Sequence, residues 1–130
     1  MILLDTDVCI EILRGSQSVI EKRQRCDERV AISFMTIGEL YYGAERSKSK
    51  MKNVNVVDEF VLSIETINTD LEILKKFGEL KAYLRVTNEM VPDADIMIAS
   101  AAITKCTKLI TGNIKHFNRF PELVLENWII

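Results

Sequence analysis

The feature that most constrains this chain is an unbroken apolar run, Ile2–Leu3–Leu4, that stops abruptly at Asp5–Thr6–Asp7. A strand that is apolar at every position, rather than at alternate ones, is covered on both faces, as in a parallel sheet between helices. Two carboxylates one residue apart then follow at the strand's carboxyl end, which is where an open α/β sheet places its ligand crevice. Further acids, Glu39, Asp93 and Asp95, stand at the start of later helix-like segments. These observations join in one expectation. Segments distant in sequence return acids to the crevice opened by Asp5 and form a carboxylate pocket for a divalent metal.

The remaining pattern fits such a sheet. Val8–Leu13 has helical spacing and ends at Arg14–Gly15, and Ser18–Cys26 is polar and helical in character. Val30–Ser33 is a second strand, followed by Thr36-Ile-Gly-Glu39, the S/T-x-x-E signature of a capping box. The helix it opens runs to about Ser47 with Ile37, Leu40, Tyr41 and Ala44 on one apolar stripe. Val56–Ser63 reads as helix and Glu65–Ile67 as a weak third strand. A second capping box, Thr69-Asp-Leu-Glu72, opens a helix to about Val86 with Leu71, Leu74, Phe77 and Leu84 inward. Pro92–Asp93 starts another, through about Lys105, whose Ala99, Ala101 and Ala102 suit close packing on a sheet. Lys108–Thr111 and Leu123–Glu126 complete five strands. Strands alternating with helices predict a parallel α/β sheet, and right-handed crossovers gather the strand ends on one edge with Asp5, Thr111 and Asn113.

At 130 residues the expectation is one domain, 1–130. A formal charge of −2 gives no overall basic footprint, so a nucleic-acid partner would need local basic patches and metal ions. Three cysteines without CxxC spacing favour reduced thiols over a disulfide framework or zinc site. With no charged leader and no long apolar run, a soluble, cytoplasmic protein with no membrane partner is expected.

Hard oxygen ligands suit Mg²⁺ or Mn²⁺, and a few carboxylates from separate elements leave room for water and phosphate. Asp5 is the best direct ligand because a strand end fixes it. Each acid also has a local explanation: Asp5 as a helix cap, Glu39 as the capping-box partner of Thr36, Asp93 as an N-cap, and Asp95 as a first-turn acid favoured by the macrodipole. Asn113 suits a turn, and His116, the only histidine, is unremarkable alone.

Leu3-Leu4-Asp5-Thr6-Asp7, Ile32-Ser33 through Thr36-Ile-Gly-Glu39-Leu40-Tyr41-Tyr42-Gly43, Asp95-Ile-Met-Ile-Ala99, and Leu109-Ile-Thr111-Gly-Asn113 with His116-Phe117 together resemble the PIN-domain ribonucleases. Within them the chain is most similar to the VapC toxins of prokaryotic toxin–antitoxin pairs, from about Ile2 to Trp128. The resemblance implies a five-stranded parallel sheet flanked by helices, a Mg²⁺- or Mn²⁺-dependent endoribonuclease and a homodimer. It also implies a cognate VapB-like antitoxin occupying the active-site groove. It assigns Asp5, Glu39 and Asp95 to the acidic triad, with Asp5 and Asp95 as metal ligands, and Asn113 to a position where many members carry a fourth Asp. Asp7 departs from the commoner Asn. Thr6, Asp7, Asp93 and Thr111 are auxiliary candidates.

RNA, with a structured RNA such as a tRNA as the family-based expectation, would be held by Arg46, Lys48, Lys50 and Lys52 on one side and Lys115 and Arg119 on another. The face carrying Leu40, Tyr41 and Tyr42 is a candidate contact for antitoxin or a second copy. Three rivals are weighed. A haloacid-dehalogenase-like phosphohydrolase would use Asp5-Thr-Asp7 as nucleophile and acid, but the chain is short for that fold and lacks convincing partner motifs. A response-regulator receiver needs a phospho-acceptor Asp that Glu65–Asn68 does not supply. A non-catalytic module of the same fold has no need of three intact acids.

Overall fold

The structure is a computed structural model that describes residues 1–130. Its centre is β1 (Ile2–Leu4), with all three residues at 0% exposure. β1 pairs in parallel with β2 (Val30–Ser33) on one side and β4 (Leu109–Ile110) on the other. β3 (Glu65–Ile67) and β5 (Leu125–Glu126) add parallel strands at the two edges, giving the order β3-β2-β1-β4-β5. This is the expected five-stranded parallel sheet.

The period of two in a strand explains why the apolar run must be continuous. Leu3, Ala31 and Leu109 face a core closed by α5 (Leu71–Thr87) and α6 (Asp93–Lys105), with Phe117 and Phe120 beside it. Ile2, Leu4, Ile32 and Ile110 face the opposite core. That core is closed by α1 (Thr6–Leu13), α2 (Gln17–Arg25), α3 (Phe34–Glu45) and α4 (Lys50–Ser63), with Trp128. Fully burying each such aliphatic side chain contributes about 1.5–3 kcal/mol. Ala99, Ala101 and Ala102 are buried as expected, bringing α6 close to the sheet.

Several boundaries differ from the sequence reading, each for a local reason. α3 begins at Phe34 because Ser33, still extended (φ −82°, ψ 157°), both ends β2 and caps the helix through the Thr36 N–H (3.1 Å). Thr36 is therefore not the cap, and Glu39 is not its capping-box partner. In α5 the cap is Asp70, which accepts from Ile73 N–H (2.9 Å), one residue later than the Thr69 box. The inward stripe moves with it: Ile73, Leu80 and Leu84 are buried, while Leu71 is 73% and Leu74 45% exposed. α4 starts six residues before Val56, so Lys50 and Lys52 belong to its first turn. Pro92 occupies the cap of α6, and Asp93, in the first turn, pairs with Lys81 (3.0 Å). The short α7 (Ile114–Phe117) was not expected. No helix is long and apolar enough to cross a membrane.

Candidate functional site

The carboxyl ends of β1, β2 and β4 and the amino ends of α1, α3 and α6 converge on one mouth. Asp5 is its centre. It is 5% exposed; its Oδ1 accepts from Thr6 N–H (2.8 Å) and its Oδ2 from the Thr111 hydroxyl (2.7 Å). Asp5 is thus the cap of α1 as well as a candidate site residue. Burial, then the charge of Asp7, raises its pKa to about 7, the two hydrogen bonds opposing, with Asp95 adding a further push upward. Asp5, Asp7 and Asp95 therefore share one electrostatic environment although Asp95 is 90 residues away in the chain.

Asp7 leans across to the β4–α7 turn, where its Oδ2 accepts from Gly112 N–H (2.9 Å). Its Oδ1 is buried without a hydrogen-bond partner, and burial raises its pKa. The approach is close enough to require glycine: a Cβ at residue 112 would lie 3.0 Å from Asp7 Oδ2 and 2.6 Å from Ile129 Cδ1. The turn is tied back by Asn113 N–H, which donates to Thr111 Oγ1 (2.9 Å).

Glu39 lies one turn further along α3 than a capping-box residue would. Its Oε1 accepts from the Thr6 hydroxyl (2.6 Å), and Thr6 Oγ1 is also 3.0 Å from the buried Thr36 Oγ1. With the single Thr6 hydrogen given to the carboxylate, Thr36 is the donor of the second bond. A hydroxyl relay so holds Glu39 beside the first turn of α1.

Asp95 meets His116, which the sequence reading named without giving it a role: His116 Nδ1 is 2.8 Å from Asp95 Oδ2. Asn113 Nδ2 is 3.0 Å from the same ring nitrogen. The tautomer decides which contact is the hydrogen bond, and the carboxylate favours a proton on Nδ1. The spacing Asn113-x-x-His116 was the available signal, since three residues on a helical turn bring two side chains to one face.

The mouth therefore brings together Asp5, Thr6, Asp7, Glu39, Asp95, Thr111 and Asn113. Asp93 stays outside, on the surface with Lys81. Of the basic candidates, Lys50 pairs with Glu45 (2.9 Å), and Arg119 Nη1 donates to the carbonyls of Glu89 and Met90 (3.0 Å each), bracing the α5–α6 connection. Arg46, Lys48, Lys52 and Lys115 are exposed and form no ion pair. The expected Leu40–Tyr41–Tyr42 face does not exist as one surface. Leu40 is in the core, the Tyr41 hydroxyl donates to Asp58 on α4, and Tyr42 is 64% exposed.

No three Asp, Glu, His or Cys side chains are positioned to chelate one ion unaided. The donor set nonetheless fits a hard cation of the Mg²⁺ type, which takes one or two carboxylates and keeps several waters. The mouth offers carboxylate oxygens, one of them orphaned, and acids whose ionised forms oppose each other.

The fold and site define a class, a parallel α/β domain with acids from three elements at one sheet mouth, and comparison with known proteins narrows it. The PIN domain family matches residues 2–123, and the chain belongs to that family. It is 34% identical over 129 residues to "Ribonuclease VapC2" of Rickettsia felis, covering 97% of this chain and 96% of that one. It is 32% identical over 127 residues to "tRNA(fMet)-specific endonuclease VapC" of Salmonella typhimurium, covering 97% and 96%. The crystal structure of VapBC2 from Rickettsia felis bound to a promoter DNA fragment superposes with a TM-score of 0.92 at 33% identity, over 98% of this chain and 99% of that one.

Proposed function

We propose that this protein is the ribonuclease toxin of a VapBC-type toxin–antitoxin pair. It would be a metal-dependent endoribonuclease acting as one PIN domain in the cytoplasm, with a structured RNA, a tRNA foremost, as substrate. The observation that carries the reading is the convergence of Asp5, Glu39 and Asp95 on one mouth in a chain whose relatives are named VapC ribonucleases.

Asp5 and Asp95 would hold Mg²⁺ or Mn²⁺, with Asp7 Oδ1 adding negative charge beside them. A divalent ion there supplies a water of lowered pKa and neutralises charge building on the phosphate. The chain's own residues do the rest. Thr6 N–H and the Thr111 hydroxyl fix the Asp5 carboxylate in place. Glu39, held by Thr6, would accept a hydrogen bond from the attacking water. His116, through Nδ1, would orient Asp95. The excess of acids argues for the cation, since like charges brought together in a buried site raise one another's pKa.

A groove of about 470 Å³ runs beside the mouth, with Ile10, Leu13, Leu40 and Val57 as its apolar lining and Arg14, Glu39 and Lys52 as its charged wall. We place the VapB-like antitoxin there, in line with solved relatives that are VapBC complexes. The active species is proposed to be a homodimer.

The test is cleavage of folded RNA by purified protein with Mn²⁺, followed on a gel, against Asp5→Ala and Asp95→Ala. Each variant is expected to lose at least about 100-fold in rate, the scale of removing a charge-stabilising or ligand-supporting group. Cleavage undiminished in both would show that the activity comes from elsewhere.

A further inference from the structure

The outer face of α3 carries an arrangement that neither the fold nor the mouth requires. Glu39, Tyr42 and Arg46 follow at i, i+3 and i+7, so they share one face of the helix. At about 1.5 Å per residue, Tyr42 lies about 4.5 Å and Arg46 about 10.5 Å along the axis from Glu39. Tyr42 is 64% exposed while its neighbours Leu40 and Tyr41 are turned into the core and toward α4. The Arg46 guanidinium sits 5.5 Å from the centre of the Tyr42 ring, with Nη1 3.4 Å from the hydroxyl.

Arg46 forms no ion pair, and neither do Lys48 and Lys52 just beyond it, whereas Lys50 is neutralised by Glu45. An exposed aromatic ring backed by a cation, with unpaired cations leading away, is the pattern that binds single-stranded nucleic acid. The base stacks on the ring and the phosphates follow the positive charge.

We propose that Tyr42 is a stacking seat for one unpaired base of the RNA next to the cleaved bond. The base takes the ring's open face, Arg46 backs the other, and Lys48 and Lys52 meet the phosphates that follow. This rests on the ribonuclease reading and adds to it a substrate-positioning residue. The seat selects an unpaired nucleotide by its flat face rather than by its hydrogen-bonding edge.

The experiment uses the full chain and an RNA hairpin whose loop it cuts, with Mn²⁺. Tyr42→Ala is expected to raise KM and weaken RNA binding about tenfold with kcat retained, the scale of one lost stack. Tyr42→Phe and Tyr42→Trp are expected to keep wild-type values. On hairpins carrying an abasic position beside the cut, the difference between wild type and Tyr42→Ala should vanish at one position. The seat is overturned if wild type cuts and Tyr42→Ala binds equally well, or if the tenfold loss persists at every abasic position. It is also overturned if Tyr42→Ala releases a protein partner while RNA binding is unchanged. A wild-type chain that neither binds nor cuts RNA would overturn the ribonuclease reading itself, and the seat with it.

Discussion

Two regions of the molecule treat charge in opposite ways. One is the hollow of about 390 Å³ between α2 and the C-terminal segment, lined by Lys22, Arg25, Lys108, Glu126 and Trp128. There Lys22 Nζ donates to the carbonyls of Trp128 and Ile130 (2.9 Å each), and Lys108 Nζ donates to Glu126 Oε1 (2.6 Å). That hydrogen bond raises the pKa of Lys108 and lowers that of Glu126, so both charged forms are favoured. At the mouth beside the groove the shifts run the other way. Burial and like charge raise Asp5 and Asp7 toward neutrality, and one Asp7 oxygen has no partner. A fold that pairs Lys108 with Glu126 in one hollow and leaves acids opposed at the mouth supports our proposal that a positive charge reaches the mouth from outside.

The largest effect that can break this contrast concerns stability and pH. The folded Asp5 carboxyl, with a pKa of about 7 against an ordinary 3.8, holds a proton that the unfolded chain has lost between roughly pH 4 and 7. Metal-free protein is therefore expected to be most stable at the acid end of that window and to lose on the order of a few kcal/mol as pH rises through about 7. Asp5→Asn should flatten the profile. Thermal unfolding of chelated protein from pH 5 to 8 reads this directly, and a stability that climbs with pH would remove the strain assigned to the mouth.

A smaller effect is expected at His116. If it orients Asp95, His116→Ala should lower kcat/KM for RNA about tenfold, at the low end for a residue supporting a ligand. Unchanged kinetics would reduce the 2.8 Å contact to surface packing. The smallest effect belongs to the hollow that pairs Lys108 with Glu126. Glu126→Gln should change stability by less than about 1 kcal/mol, as for a partly exposed ion pair, and leave cleavage within about twofold. A large loss of cleavage there would erase the distinction between the two regions.

The sheet was legible because burial on both faces writes itself as an uninterrupted apolar run. Ile2–Leu4 and Val30–Ser33 were read at their observed bounds for that reason. The half-exposed edge strand Glu65–Ile67 was legible only weakly, and β4 and β5 were each read two residues too long. The helix starts were not legible, because a capping side chain works equally well a few residues to either side: the α3 cap lies three residues before Thr36 and the α5 cap one residue after Thr69. Ser33 could end a strand and begin a helix, and Asp70 displaced Thr69, which turned Leu71 and Leu74 outward. The acids were legible from their positions at element ends. What joins them was not. The Thr6–Glu39 and His116–Asp95 contacts span 33 and 21 residues, and no local pattern encodes them. Asp93 illustrates the converse: adjacent in sequence to the site, it is turned away by Lys81.

The most direct measurement is calorimetric titration of metal-free protein with Mn²⁺ at pH 7.5, comparing wild type, Asp5→Asn, Asp95→Asn and Glu126→Gln. Saturable binding in wild type and Glu126→Gln, lost or weakened at least about tenfold in both aspartate variants, is the predicted result. Equal Mn²⁺ binding in all four proteins, or none in wild type, would contradict a cation shared by Asp5 and Asp95.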